Sequence, residues 1–167
     1  RWIPWLDTGD KGLEIFTKAL EHAPFAAWAP KARMRRAWLL DQEGKKLESV
    51  EEMRIVVRDY PDDPIHKFAM LSLANGLFDL AERGDGDGAF LREAHQLLRD
   101  FQKKYPDATE NGWVRRRLLS YKDAQAKRLY EMAKYYRKEG RNDAAERYLA
   151  KVLIDYPDSE SAPDSEA

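Results

Sequence analysis

The sequence contains no cysteine, which excludes disulfides, thiolate metal sites and cysteine nucleophiles. It has no apolar run approaching the ~20 residues that a bilayer-crossing helix needs. Histidine is scarce: His22, His66 and His95 are far apart, and none has a metal-type side chain three or four residues on. Each is expected to be solvated or to cap a helix, and no metal is expected. Charge of one sign is lacking as well. Lys and Arg number 29 against 30 Asp and Glu, a formal net charge of −1, so no global basic field exists to hold nucleic acid. Neither a nucleophile elbow nor a phosphate-binding glycine loop occurs.

What is present is a chain of 167 residues, 43% hydrophobic and 35% charged. That mixture suits amphipathic helices with well-solvated outer faces. The opening Arg1-Trp2-Ile3-Pro4-Trp5 has neither an initiator methionine nor a signal-like apolar region. It reads as the start of an internal or processed fragment, with any targeting signal or lipid anchor upstream of Arg1.

Three segments end alike, at Tyr60-Pro61-Asp62, Tyr105-Pro106-Asp107 and Tyr156-Pro157-Asp158, and His22-Ala23-Pro24 is a weaker fourth. Each follows an apolar-periodic stretch. Proline stops a helix there because it has no amide donor and clashes with the preceding turn. The acidic residues beyond it suit the positive end of the next helix. Counting back from Pro157 gives Val152, Leu149, Ala145, Gly140, Tyr136, Ala133, Met132 and Leu129. Counting back from Pro61 gives Val56, Met53, Gly44, Leu40 and Ala37 at matching offsets. The pattern resembles the tetratricopeptide repeat, in which small residues sit where two helices approach closely and large ones fill the groove between them. Ser49 stands where alanine is usual and Arg36 where leucine is usual. The unit ending at Pro106 keeps Ala94, Leu98 and Phe101, with an insertion around Gly84-Asp85-Gly86-Asp87-Gly88. The closing prolines are spaced more widely than the ~34 residues of the simple repeat.

Periodicity predicts seven helices, at 9–22, 29–42, 46–59, 64–82, 88–104, 110–139 and 142–155. The sixth is long, carrying the stripe Val114, Leu118, Tyr121, Gln125, Leu129, Met132 and Tyr136. The expected fold is all-α, a tetratricopeptide-like α-solenoid. One repeat domain is expected over residues 1–157, followed by a disordered acidic tail over 158–167.

The stretch from Trp113 through Tyr135-Tyr136, Ala144-Ala145 and Val152 to Tyr156-Pro157-Asp158-Ser159 resembles the outer-membrane assembly lipoprotein family BamD, as does Asp100-Phe101-Gln102 through Tyr105-Pro106. The likeness covers roughly residues 60–160. It implies a periplasmic, lipid-anchored scaffold at the outer membrane. Such a scaffold docks on a barrel-assembly subunit and helps to receive unfolded outer-membrane proteins. Periplasmic repeat proteins that coordinate cell-envelope machinery share much of the pattern, and cytoplasmic tetratricopeptide adaptors share some of it.

The candidate functional residues follow from the repeat. The inward positions of the first helix of a pair are Lys31, Met34, Trp38 and Asp41 in the second unit, and Lys127, Tyr130, Lys134 and Arg137 in the last. Aromatic and basic groups in that mixture suit an extended peptide with aromatic side chains or a carboxylate end. Arg115, Arg116 and Arg117 form one basic cluster and Arg33, Arg35 and Arg36 another. Each either pairs with local acids or meets an acidic partner or lipid head groups. Trp38 and Trp113 beside them favour interaction, whereas Trp2, Trp5 and Trp28 are expected to pack the N-terminal unit. Asp85-Gly86-Asp87-Gly88 resembles the start of a calcium loop, but Gln96 stands where the bidentate glutamate belongs, so it reads as an inter-helix loop. Periodicity puts carboxylate pairs such as Glu51-Glu52 on exposed faces, without the pocket a general acid requires. The chain is expected to bind other proteins, to catalyse nothing and to need no cofactor.

Overall fold

The structure, a computed structural model, describes residues 8–84, 88–159 and 161–162. Among them lie seven helices and no strand: α1 (Thr8–His22), α2 (Ala29–Gln42), α3 (Lys46–Asp59), α4 (His66–Glu82), α5 (Ala89–Lys104), α6 (Asn111–Lys138) and α7 (Asn142–Asp155). The fold is all-α, and every predicted helix is present within two residues of its predicted bounds. The loop Asp85–Asp87 and Trp2 and Trp5 lie outside the described residues. The chain divides into two compact units, Arg1–Asp107 and Ala108–Ala167. In the first, each helix from α1 to α4 packs on its successor, as in a helical-repeat stack. In the second, α6 packs on α7.

Each helix stop is built the same way. Tyr60, Tyr105 and Tyr156 leave the helical region at φ/ψ of −128/54°, −127/63° and −138/51°. The following proline excludes the helical conformation for the residue before it. Each tyrosine amide still donates to the carbonyl four residues back, on Val56, Phe101 and Val152. A short linker with its own hydrogen bonds follows. His66 N–H donates to Asp63 O at 2.9 Å, Ala29 N–H to Ala26 O at 2.8 Å and Asn111 N–H to Ala108 O at 3.0 Å. Asp63 Oδ1 also accepts from the Ile65 amide at 2.8 Å, which delays α4 to His66. The residue that ends the linker is buried each time: Ala29, His66 and Asn111. The linker recurs after Pro157. Ala162 N–H donates to Ser159 O at 3.0 Å, and Ala162 is buried against Ala126 and Val152.

The turn inside a helix pair is equally standard. Gly44 and Gly140 take φ of 77° and 71°. Lys45 N–H reaches Leu40 O at 2.9 Å and Arg141 N–H reaches Tyr136 O at 2.9 Å. This is the left-handed glycine stop that satisfies the last helical carbonyls. Nothing lies within 4 Å of a Cβ added at either glycine, so replacement is penalised through the backbone alone. Gly44→Ala and Gly140→Ala are each expected to cost about 1 kcal/mol in urea titrations. Gly112→Ala, in the first turn of α6 with ordinary contact to Arg116, should instead be neutral or gain a few tenths of a kcal/mol.

Packing follows from where small residues fall. Helix α4 lies against both α3 and α5, so it is apolar nearly all round: Ala69, Met70, Leu73, Ala74, Leu77, Phe78 and Leu80 are buried. At Gly76 a Cβ would come within 2.8 Å of Val50 Cγ2, so α3 and α4 touch backbone to side chain there. On α6 the fully buried positions facing α7 are Ala126 and Ala133. The predicted stripe around them is mostly half-buried, and Met132 is exposed. Ser49, the departure from alanine, is buried, and its hydroxyl donates to Ala37 O at 2.7 Å on α2. The extra polar atom is therefore satisfied where a plain close contact was expected.

Two expectations are corrected here. Glu52 is not on an exposed face; it is 7% exposed, because α3 turns it towards α2. There it accepts from Arg33 Nη1 at 3.1 Å and Arg36 Nη1 at 3.0 Å. Two of the three arginines in the cluster Arg33, Arg35 and Arg36 are thus consumed inside a helix pair. His66 is neither solvated nor merely a cap: at 4% exposure its Nδ1 lies 2.8 Å from the Tyr105 hydroxyl and its Nε2 3.2 Å from Val57 O.

Candidate protein-binding surface

A binding face must expose groups that the fold does not use. On α2, residues Lys31, Met34 and Trp38 recur at helical spacing and share one side. Lys31 is exposed, Met34 half-buried and Trp38 48% exposed. The Arg35 guanidinium sits 4.7 Å from the Trp38 ring centroid, a cation–π contact that orients the indole without covering it. Asp41, fourth in that row, is tied down by Lys46 at 2.5 Å, and Lys46 also reaches Asp79 on α4 at 2.8 Å. Both carboxylates raise the Lys46 pKa against a burial effect that lowers it. Asp41 therefore serves the joint between helices.

In the second unit, Lys127, Tyr130, Lys134 and Arg137 share one side of α6. Lys127, Lys134 and Arg137 are exposed and Tyr130 is half-buried. Lys134 Nζ is 5.6 Å from the Tyr130 ring and 3.2 Å from Glu131 Oε1. Of the cluster at the start of α6, Arg115 and Arg116 are exposed, while Arg117 is half-buried with its guanidinium 5.9 Å from the Trp113 ring. Successive helical residues point in different directions, so Arg115, Arg116 and Arg117 spread around the start of α6. Trp28, expected to pack, is 43% exposed at the start of α2.

Reasoning from the sequence missed a second aromatic and basic assembly, where α6 meets α7. Tyr136 and Tyr148 stack with centroids 5.4 Å apart and planes 10° from parallel. Arg141 lies 5.0 Å over Tyr136. Tyr136 belongs to the periodic stripe of α6. Its pairing with Tyr148 depends on the register of the two helices, which spacing along either helix does not reveal.

Among the described residues no helix is long and apolar enough to cross a membrane. The chain matches no curated protein. The family model for the outer membrane lipoprotein YfiO matches residues 10–166, which takes in all seven helices except the first two residues of α1. The chain therefore belongs to the YfiO family of outer membrane lipoproteins.

Proposed function

We propose that this chain is a non-catalytic, protein-binding scaffold of BamD type, acting at the periplasmic side of the outer membrane in the assembly of β-barrel proteins. The observation that carries this reading is the exposed Trp38, held at 4.7 Å by Arg35 in line with Lys31 and Met34. A tryptophan left in water on a rigid helix, with arginine beside it, is the composition of an interface hot spot. Membership of an outer membrane lipoprotein family supplies the cellular setting. The partners that fit are a barrel-assembly subunit and unfolded outer-membrane proteins. Lys31, Met34, Trp38, Lys127, Tyr130, Lys134 and Arg137 would contact an extended peptide, and Arg115, Arg116 and Arg117 an acidic subunit surface.

The test is a pulldown from solubilised envelope with the whole chain as bait. A barrel-assembly subunit should be recovered, and charge reversal at Arg115, Arg116 and Arg117 should abolish its recovery. Trp38→Ala, Tyr130→Ala and Arg137→Ala should each weaken binding of an unfolded barrel segment about tenfold. Recovery of cell-wall enzymes instead, or affinities untouched by all three alanine changes, would overturn the reading.

A further inference from the structure

The stacked tyrosines wall a cleft of about 420 Å³ lined by Tyr136, Arg141, Ala144, Arg147, Tyr148 and Lys151. Three of these six are cations. Among the described residues no carboxylate lines the cleft; Asp143 lines the adjoining depression. Several cations elsewhere are paired: Lys18 with Glu14, Arg33 and Arg36 with Glu52, Lys46 with Asp41 and Asp79, and Arg54 with Glu93. Arg141 is oriented by its contact with Tyr136, which spares much of the entropy a free arginine would lose on binding.

The fold does not demand this charge. When Pro61 and Pro157 are taken as equivalent, the α2–α3 pair has Glu48, Glu51 and Glu52 where the cleft has Ala144, Arg147 and Tyr148. Arg141 is matched by Lys45, but Arg147 stands where that pair has Glu51 and Lys151 where it has Ile55, so the positive charge on α7 is particular to this pair. A single carboxylate carries one charge on two acceptor oxygens, and Glu52 fills them with two guanidiniums. Three separate cations around one cleft match a group carrying close to two negative charges on three acceptor oxygens, which is a phosphate monoester.

We infer that the α6–α7 cleft is a phosphate-binding site, with Arg141, Arg147 and Lys151 as its donors and the Tyr136–Tyr148 stack as its wall. The phosphate is either free or carried on a lipid head group. This site is separate from the helix faces proposed for protein partners, and it stands whether or not that proposal does.

Inorganic phosphate is titrated into the whole chain and followed by phosphorus NMR. Saturable binding is expected, weakened about tenfold in an Arg147→Gln, Lys151→Gln variant and unchanged in an Arg99→Gln, Lys103→Gln variant that loses the same charge on α5. Both variants should unfold at the wild-type temperature, since all four side chains are exposed. Retention on phosphatidylcholine vesicles containing phosphatidic acid, reversed by free phosphate, would assign the lipid source. Phosphate binding without vesicle retention would assign the soluble one. Non-saturable binding, equal loss in both variants, or displacement of phosphate by a tetraglutamate peptide at equal concentration would overturn the assignment. The last result would give the cleft to protein carboxylates.

Discussion

Glu52→Ala is expected to lower the unfolding free energy by about 3–5 kcal/mol. The carboxylate is 7% exposed and takes one guanidinium on each oxygen. Its removal leaves Arg33 and Arg36, whose side chains are 16% and 26% exposed, as two like charges in a partly dry interface. Their Nε atoms already lack hydrogen-bond partners. The second unit shows what this interface accepts without charge. The residues equivalent to Arg33, Arg36 and Glu52 are Leu129, Met132 and Tyr148. Transplanting all three into the α2–α3 pair should therefore be neutral or stabilising, because no desolvation penalty remains. Urea denaturation of the single and triple variants decides this. If Glu52→Ala costs under ~1 kcal/mol, the triad is solvated, and its burial here is not what holds the pair together.

Acidification is expected to loosen the first unit through His66. The Val57 carbonyl can only accept, so Nε2 carries the proton of the neutral ring and Nδ1 accepts from the Tyr105 hydroxyl. That arrangement ties the end of α3, the start of α4 and the end of α5 together, and it exists only while the imidazole is neutral. Burial first, and the Lys104 ammonium second, hold the His66 pKa below its ordinary value; the Val57 hydrogen bond and Asp62 act against them more weakly. The unfolded chain therefore binds this proton more tightly than the folded one. The stability contributed by neutral His66 is fully present above the unfolded imidazole pKa of about 6.5. It is lost as pH falls through that value towards the depressed one, by up to ~1.4 kcal/mol per pH unit. Other groups titrate in the same window, so the informative quantity is a difference. His66→Asn, which copies Asn111 at the equivalent linker position, should flatten the slope of stability between pH 7 and pH 5. Tyr105→Phe should cost about 1–3 kcal/mol at neutral pH by leaving Nδ1 unpaired. Equal slopes in wild type and His66→Asn would show that the ring does not titrate on unfolding.

The parts of this structure legible in the sequence are those governed by backbone rules. Pro61, Pro106 and Pro157 mark helix stops because proline restricts the residue before it, wherever the chain goes next. Gly44 and Gly140 mark turns because a left-handed φ is cheap only for glycine. Ala37, Ala133 and Ala145 mark close approach because a small side chain lets two helices come together, and all three are buried. The misplaced residues are those whose environment comes from another helix. Periodicity along α3 could not say that Glu52 faces two arginines on α2. The stripe Lys31, Met34, Trp38 could be aligned from spacing alone, but the capture of Asp41 by Lys46 depends on how α2 meets α3. The Tyr136–Tyr148 wall was hidden for the same reason: each tyrosine reads as an ordinary half-buried position until the register of α6 and α7 is known.

The joints between helix pairs are standardised while the struts are not. The same stop, linker and buried terminal residue precede α2, α4 and α6, yet those helices run to 14, 17 and 28 residues. A strut can therefore be lengthened by whole turns, about 7 residues for two turns, without change to the stop, linker or buried residue that begins it. An odd residue inserted in a linker would instead rotate everything downstream. Strut length and joint geometry are therefore set by different residues of this chain.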